Sequence, residues 1–438
     1  MSRLRGLQLA IGLGFGLPAS WSFASGFALI EQSAGGQGVS YAGAAANAED
    51  ASVMWFNPAG LALIEGDQLV GALHAVKPQL AFHNNGSYSA SALPLPISLP
   101  INGGPVSGEG DDGATLALVP NFYWKTRLGP VDFGLGINVP FGSHLVYKDD
   151  WVGRYQAIET NLKTINLNPA VAARLTPWLA FGAGANVQYV DLTMSQKMDN
   201  NLLLNRGAAD GDAVISADSI GYGYNLGFML MPTESTTIGV SYRSKVEQNA
   251  KGKIKYSNIT DPLYAMVHVE DGKVGVSSDV SLPATAMFSL KQMIGSKLAF
   301  LADATWTKWT DYDELIIHFE SGQDALNSRQ EFKDSWRYSV GAIYQASPKL
   351  TLRTGVAIDH TPVTSAENRS PRTPDSERRW VSVGMGYRFV KSMRLDLAYS
   401  HLMGEEDEVD YTTDDIHYLI GDYKASVDIV SAQLVWDY

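Results

Sequence analysis

Read backwards from its end, the chain alternates. Tyr438, Trp436, Leu434, Ala432 and Val430 lie on one face of an extended segment, and Asp437, Val435, Gln433, Ser431 and Ile429 on the other. A period of two marks a β-strand. The pattern recurs upstream. Met393, Leu395, Leu397 and Tyr399 alternate with Arg394, Asp396, Ala398 and Ser400, and Val381, Val383, Met385, Tyr387 and Phe389 with Ser382, Gly384, Gly386 and Arg388. Leu352, Thr354, Val356 and Ile358 likewise oppose Arg353, Gly355, Ala357 and Asp359, and Trp336, Tyr338, Val340 and Tyr344 oppose Arg337, Ser339 and Gly341. Such runs have about the 9–11 residues that a tilted strand needs to cross a bilayer. Arg, Asp and Gln on the second face would be costly in a dry sandwich core without partners, but stay hydrated or paired in the lumen of a closed barrel. The first face, apolar with Tyr and Trp near its ends, suits lipid and its interfacial girdle. About fourteen such segments are expected, near 67–82, 114–127, 130–147, 159–175, 178–195, 219–231, 235–249, 278–292, 296–310, 334–346, 349–360, 378–390, 392–404 and 427–438. Short links at 346–348 and 390–392 alternate with long polar stretches at 359–379 and 402–424. Tight turns on one side and long loops on the other predict an all-β fold, a transmembrane antiparallel barrel over 66–438.

Composition agrees with that reading. The 438 residues include no cysteine, which excludes disulfides and thiolate metal sites. The formal charge is −13, against nucleic-acid binding. Mean hydropathy is −0.07, and past residue 24 no apolar run reaches the ~18 residues of a helical span. Arg3 and Arg5 precede an apolar run at 7–17 that is too short to span a bilayer; Pro18 ends it, and Ser22-Phe23-Ala24 reads as an A-x-A-like site that predicts cleavage after Ala24. Residues 1–24 therefore read as a signal peptide, and the exported chain starts at Ser25. Residues 25–65 break the strand rule. They hold Gln32-Ser33-Ala34-Gly35-Gly36-Gln37-Gly38, an Ala-rich stretch at 41–52 that reads as helical, and Trp55-Phe56-Asn57-Pro58-Ala59-Gly60. A solvated tail would be richer in charge; small side chains suit a compact plug inside the barrel.

At this point the chain resembles the FadL-type outer-membrane transporters of long-chain fatty acids and other hydrophobic compounds. The resemblance rests on Gly26-Phe27…Glu31…Gly36…Gly38…Tyr41…Gly43…Ala48-Glu49-Asp50-Ala51 closing with Asn57-Pro58-Ala59, and on Asp359-His360-Thr361-Pro362-Val363…Asn368-Arg369…Pro374-Asp375-Ser376-Glu377-Arg378-Arg379-Trp380. Tyr242-Arg243-Ser244-Lys245-Val246 and Phe332-Lys333-Asp334 add to it. The resemblance implies fourteen strands with the N-terminal segment folded inside as a hatch. It implies capture at extracellular loops, a deeper lumenal pocket, and sideways exit where the third strand kinks inward. It gives Asn57 the role of helping to hold that kink, and places Phe27, Pro58 and Ala59 with it in the gate or hatch. The residues themselves point to a disruption within Val139-Pro140-Phe141-Gly142-Ser143: Pro140 cannot donate to a ladder, and Gly142 tolerates irregular backbone.

The family's outer capture groove maps to 195–219 and 250–279. There Leu202, Leu203 and Leu204 cluster beside Met198, and Leu263 beside Met266 and Val267. Exposed apolar loop patches mark binding surfaces or self-packing. A carboxylate would want a cation: the α-amine of Ser25, Lys197 after Gln196, and Arg329 are the candidates. Without one facing the pocket, neutral hydrocarbons are favoured over fatty acids. The expected function is outer-membrane uptake of long-chain fatty acids or similar hydrophobic molecules. The alternatives are an uptake channel for aromatic or alkane hydrocarbons and a general porin. An enzyme is not expected: Gly38-Val39-Ser40-Tyr41-Ala42 misses the nucleophile-elbow pattern, and His360, His401 and Ser400 form no motif. No cofactor and no metal are expected, because Asp149-Asp150 and Glu405-Glu406-Asp407-Glu408 read as solvated loop charges. The expected partners are the hydrophobic substrate, outer-membrane lipid and lipopolysaccharide, with no nucleic acid, for a monomer in the bacterial outer membrane.

Overall fold

The computed structural model describes residues 26–93, 99–204, 207–312 and 314–438. The expected signal peptide and Ser25 lie outside them. Fourteen antiparallel strands close into one ring. They are β1 (Gln68–Asn84), β2 (Ala117–Leu128), β3 in two pieces (Val131–Asn138 and Gly142–Val146), β4 (Glu159–Thr176), β5 (Leu179–Met198) and β6 (Gly211–Thr233). Next come β7 (Thr236–Arg243 and Val246–Ser257), β8 (Gly272–Leu282 and Thr285–Ile294) and β9 (Leu298–Thr307). The ring continues with β10 (Ser335–Gln345), β11 (Leu350–Asp359), β12 (Arg378–Val390), β13 (Met393–Tyr411) and β14 (His417–Asp437). An upper hairpin, Glu314–Phe319 with Leu326–Arg329, joins β9 to β10. β14 closes on β1 from Gln68↔Asp437 to Asn84↔Gly421.

The alternation read from the sequence sets the two faces. On β14, Val430 and Leu434 are 58% and 43% exposed, while Ser431 and Gln433 are 2% and 1%. Trp336, Tyr338, Tyr387 and Tyr399 also point out, and Arg337, Arg353 and Asp396 point in. No helix among the described residues is long and apolar enough to cross a membrane.

The strands outrun the sequence pattern on one side. Residues 402–424, expected as a loop, are mostly β13 and β14, which pair up to Tyr411↔Leu419 around a tight turn. The acidic run Glu405-Glu406-Asp407-Glu408 is thus strand. Above the lipid both faces are wet and alternation fades, while the backbone ladder continues.

Residues 26–64 lie against inward-facing groups from around the ring. Ala34 N–H donates to Gln433 of β14 (3.0 Å), Ser40 to Ser382 of β12 (2.7 Å), and Ala45 N–H to Ser289 of β8 (3.0 Å). Tyr123 of β2 donates to the Gln32 carbonyl (2.8 Å). The charges that the sequence placed on inner faces find partners here. Glu49 pairs with Arg353 (2.7 Å) and Asp50 with Arg394 (2.6 Å), while Asp396 bridges both arginines. The helix expected over 41–52 is absent; the chain there turns, and α-helix within 26–64 is confined to Ala34–Gln37 and Val53–Phe56. Ser40 and Tyr41 take positive φ (50° and 56°), which breaks any helix. Small residues serve instead to bring this backbone against the wall: a Cβ on Gly239 would sit 1.9 Å from the Ala45 carbonyl oxygen.

Candidate functional site

β3 breaks where Pro140 withholds a donor. Its lower piece pairs with β2 only up to Phe122↔Ile137, and the next link above is the isolated bridge Ala114↔Leu145. Between these limits the backbone ladder of β2 and β3 is interrupted, with Val139 N–H on the Asn121 side chain (3.3 Å) in its place; this break is the candidate window. The N-terminal segment frames it from inside. Leu29 N–H donates to the Pro140 carbonyl (2.8 Å), Gly142 N–H to the Phe27 carbonyl (2.9 Å), and the Gln32 amide to the Val139 carbonyl (2.9 Å). On the β4 side, Thr164 Oγ1 accepts from Phe141 N–H at 2.9 Å and donates to the Phe141 carbonyl at 2.6 Å. Sequence reasoning placed Pro140 and Gly142 at the break but missed Gln32, whose signal was a neutral polar residue in an otherwise small, uncharged run.

Asn57 takes no part in this frame. It is fully buried, and its amide donates to the carbonyls of Ala45 (2.8 Å) and Phe228 on β6 (2.9 Å). Its Oδ1 accepts from Ala59 N–H (3.0 Å), capping the 3₁₀ turn Pro58–Leu63 in which Pro58 holds the first position. The Asn57 side chain thus ties the segment to β6, and among the described residues none of its hydrogen bonds reaches Val139–Ser143.

Phe27 lines one cavity and its neighbour Ala28 another. The Phe27 ring packs against Phe141 (5.8 Å), Trp309 (5.1 Å) and Tyr312 (5.1 Å). On one side it lines a cavity of about 640 Å³, within the range of small-molecule sites. Leu162, Val190, Met194, Ile254 and Ile317 supply apolar wall there. Ala28, the next residue, lines a second cavity of about 110 Å³ together with Leu29, Pro140, Phe141 and Arg243.

Of the ligand residues expected from the sequence, Lys197, Leu202 and Leu263 line the larger cavity. Leu203 packs partly buried against the same apolar cluster, with its N–H on Asp261 (2.9 Å). Met266 is turned outward. The side chain of Arg329, like Ser25, lies outside the described positions; its neighbours Ser328 and Gln330 line the cavity. Lys197 is clasped by Asp212 (2.8 Å) and Asp149 (3.2 Å). His417 lies between Asp414 (2.7 Å) and Asp199 (3.4 Å). A residue that the sequence did not single out, Arg372, also faces this space from the loop between β11 and β12.

Comparison with known proteins follows the same lines. Residues 16–438 match the family described as outer membrane protein transport protein (OMPP1/FadL/TodX). Outer membrane protein P1 of Haemophilus influenzae is 30% identical over 423 residues, covering 89% of this chain and 88% of that protein. The long-chain fatty acid transport protein of Escherichia coli K12 is 25% identical over 435 residues, covering 91% and 92%. The crystal structure of a Pseudomonas aeruginosa FadL homologue superposes with a TM-score of 0.82 at 22% identity, over 94% of this chain and 99% of that one. The Pseudomonas putida toluene transporter TodX does so at 0.67 and 18%, over 95% and 100%.

Proposed function

The chain belongs to this family of outer-membrane transport proteins and crosses the membrane as a multi-pass β-barrel, and from that premise we propose that it passes hydrophobic small molecules by a sideways route. The observation that carries the reading is Phe27: it borders the larger cavity and is hydrogen-bonded to the broken strand. A molecule enters from the loops and leaves water for the cavity, gaining ~0.8 kcal/mol per CH₂ buried. Residues 26–64 act as a hatch. When Phe27 withdraws, the larger cavity joins the smaller one and the window between β2 and β3 loses its inner frame. The molecule then slips into lipid without crossing water, following its own gradient. The barrel works as a monomer among lipid and lipopolysaccharide.

A polar-lumen porin would need an open bore, whereas here the inward charges of β11 and β13 are consumed by Glu49 and Asp50. Lipid vesicles containing the purified protein should accumulate a labelled hydrophobic probe while showing little sugar flux. Sugar permeation without hydrophobic accumulation would overturn the reading. Hydrocarbon uptake is a second reading, favoured by the likeness to TodX.

A further inference from the structure

The proposed route leaves open whether the cavity selects a charged or a neutral molecule. Within that reading, we propose that Arg372 is the charge-selecting residue, and that the cavity takes an anionic amphiphile: one carboxylate on an apolar chain.

Three cationic or protonatable side chains line the larger cavity among the described residues: Lys197, His417 and Arg372. Lys197 is held by two aspartates, and His417 by two more. Asp199 and Asp414, both lining residues, are thereby used; Asp324 sits exposed at the tip of the upper hairpin. Arg372 has no carboxylate within ion-pair range among the described residues. Its guanidinium is held by neutral oxygens only. Nη1 donates to the Glu159 carbonyl (3.1 Å) and Thr160 Oγ1 (3.4 Å), and Nη2 to the Ser195 carbonyl (3.2 Å) and Gln196 Oε1 (2.9 Å). These bonds fix the plane of the fork against the ends of β4 and β5, and Nε–H has no acceptor among the described residues. The side chain is partly accessible, and that accessible part borders the cavity. Burial draws its pKa down to about 10, so it remains a cation at neutral pH.

A cation placed out of bulk water with neutral partners attracts an anion strongly. Leu162, Leu192 and Met194, on the same two strands as its partners, provide apolar wall for the chain attached to that anion. Lys197, a cation the sequence offered, is already paired with Asp212 and Asp149. The β11–β12 loop supplies the charge instead.

The test compares hexadecanoate with its methyl ester, which differ in charge and hardly in apolar length, using purified protein in lipid nanodiscs at pH 8. Wild type should bind the acid more tightly. Arg372→Gln should weaken acid binding by about tenfold or more and leave ester binding unchanged, with Arg372→Lys falling between. Equal losses for both probes, no loss for the acid, or a lysine variant no better than glutamine would overturn the proposal. Wild-type binding of the ester at least as tight as the acid would overturn charge selection and leave hydrophobic passage standing. Binding of neither probe would remove the passage reading itself.

Discussion

The N–H of Gly142 donates to the carbonyl of Phe27 at 2.9 Å. One residue belongs to the barrel wall and the other to the segment inside it. Together with the Leu29 bond to Pro140, this makes 27–29 a short antiparallel partner for 140–142, in place of the β2 edge that β3 has left. A strand edge without a partner strands its backbone groups at a cost. The N-terminal segment satisfies them, so the proposed hatch shares these bonds with the break in β3.

Phe27→Ala should loosen that contact. The ring fills the space among Phe141, Trp309 and Tyr312, and all but Tyr312 belong to one buried cluster with Val246, Leu282 and Phe332. Removing a buried Phe side chain typically costs about 3–5 kcal/mol. Because the barrel ladders do not depend on this ring, the loss falls on segment docking. Hydrogen exchange at Leu29 and Gly142 should accelerate while β11–β13 amides keep their protection, and the hydrophobic probe should leak faster. Unchanged exchange at Gly142 would uncouple Phe27 from the wall.

Asn57→Ala should act elsewhere. It leaves the carbonyls of Ala45 and Phe228 and the N–H of Ala59 without their partner, at about 1–3 kcal/mol for each group left buried and unsatisfied. Uptake is expected to fall with barrel assembly intact. The bonds of Asn57 localise the first effect to 45–64 and β6 rather than to Val139–Ser143. Exchange mapped by fragment should rise around Ala59 before it rises around Gly142. The reverse order would return Asn57 to the strand break.

These contrasts mark what was legible in the sequence. The alternation near 334–346 and 378–390 predicts strands within a residue of Ser335–Gln345 and Arg378–Val390, because one face meets lipid and the other a polar lumen. Past the lipid that contrast vanishes, and Glu405–Glu408 looked like loop although the β13–β14 ladder runs through it. The Ala-rich stretch 41–52 has helix-forming composition, yet contact with Gly239 and the turn at Ser40 and Tyr41 override propensity. Pro140 announced the break through its missing donor, but its partners Phe27 and Leu29 lie over a hundred positions away and carry no periodic signal. Arg372 stayed hidden for a related reason. It lies in an irregular loop, where no period says which way a side chain points.

Glu31 offers a pH handle on the same segment. The residue is 1% exposed, and its carboxylate has no hydrogen-bond partner on another residue among the described ones. Burial raises its pKa from 4.5 to about 7, with its own backbone N–H, Arg337 and Arg378 pulling down and Asp359 pushing up. A carboxyl raised on docking binds protons more tightly in the docked state. Docking is therefore unaffected below about pH 4.5, weakens between 4.5 and 7 by up to about 1.4 kcal/mol per pH unit, and then levels off. Limited proteolysis within 26–64 should be faster at pH 8 than at pH 5.5, and Glu31→Gln should flatten the difference. Faster cleavage at the lower pH would contradict the assignment.

The sharpest test uses the chain's lack of cysteine. Ala28 and Phe141 face each other in the antiparallel bridge, and the flanking bonds, Leu29 to Pro140 and Gly142 to Phe27, make them a non-hydrogen-bonded pair. Opposed residues of that kind have Cα atoms about 4.5 Å apart and side chains close together, at the near end of the disulfide range. Ala28→Cys combined with Phe141→Cys should therefore cross-link on oxidation without moving the backbone. The bond would hold residues 27–29 against the broken strand and keep the window framed. Probe uptake should fall at least tenfold in the oxidised variant and return on reduction, with the reduced form serving as its own control for the lost aromatic ring. If oxidised and reduced forms transport at the same rate, the N-terminal segment is no hatch, and the molecule leaves by a path that does not require Phe27 to move.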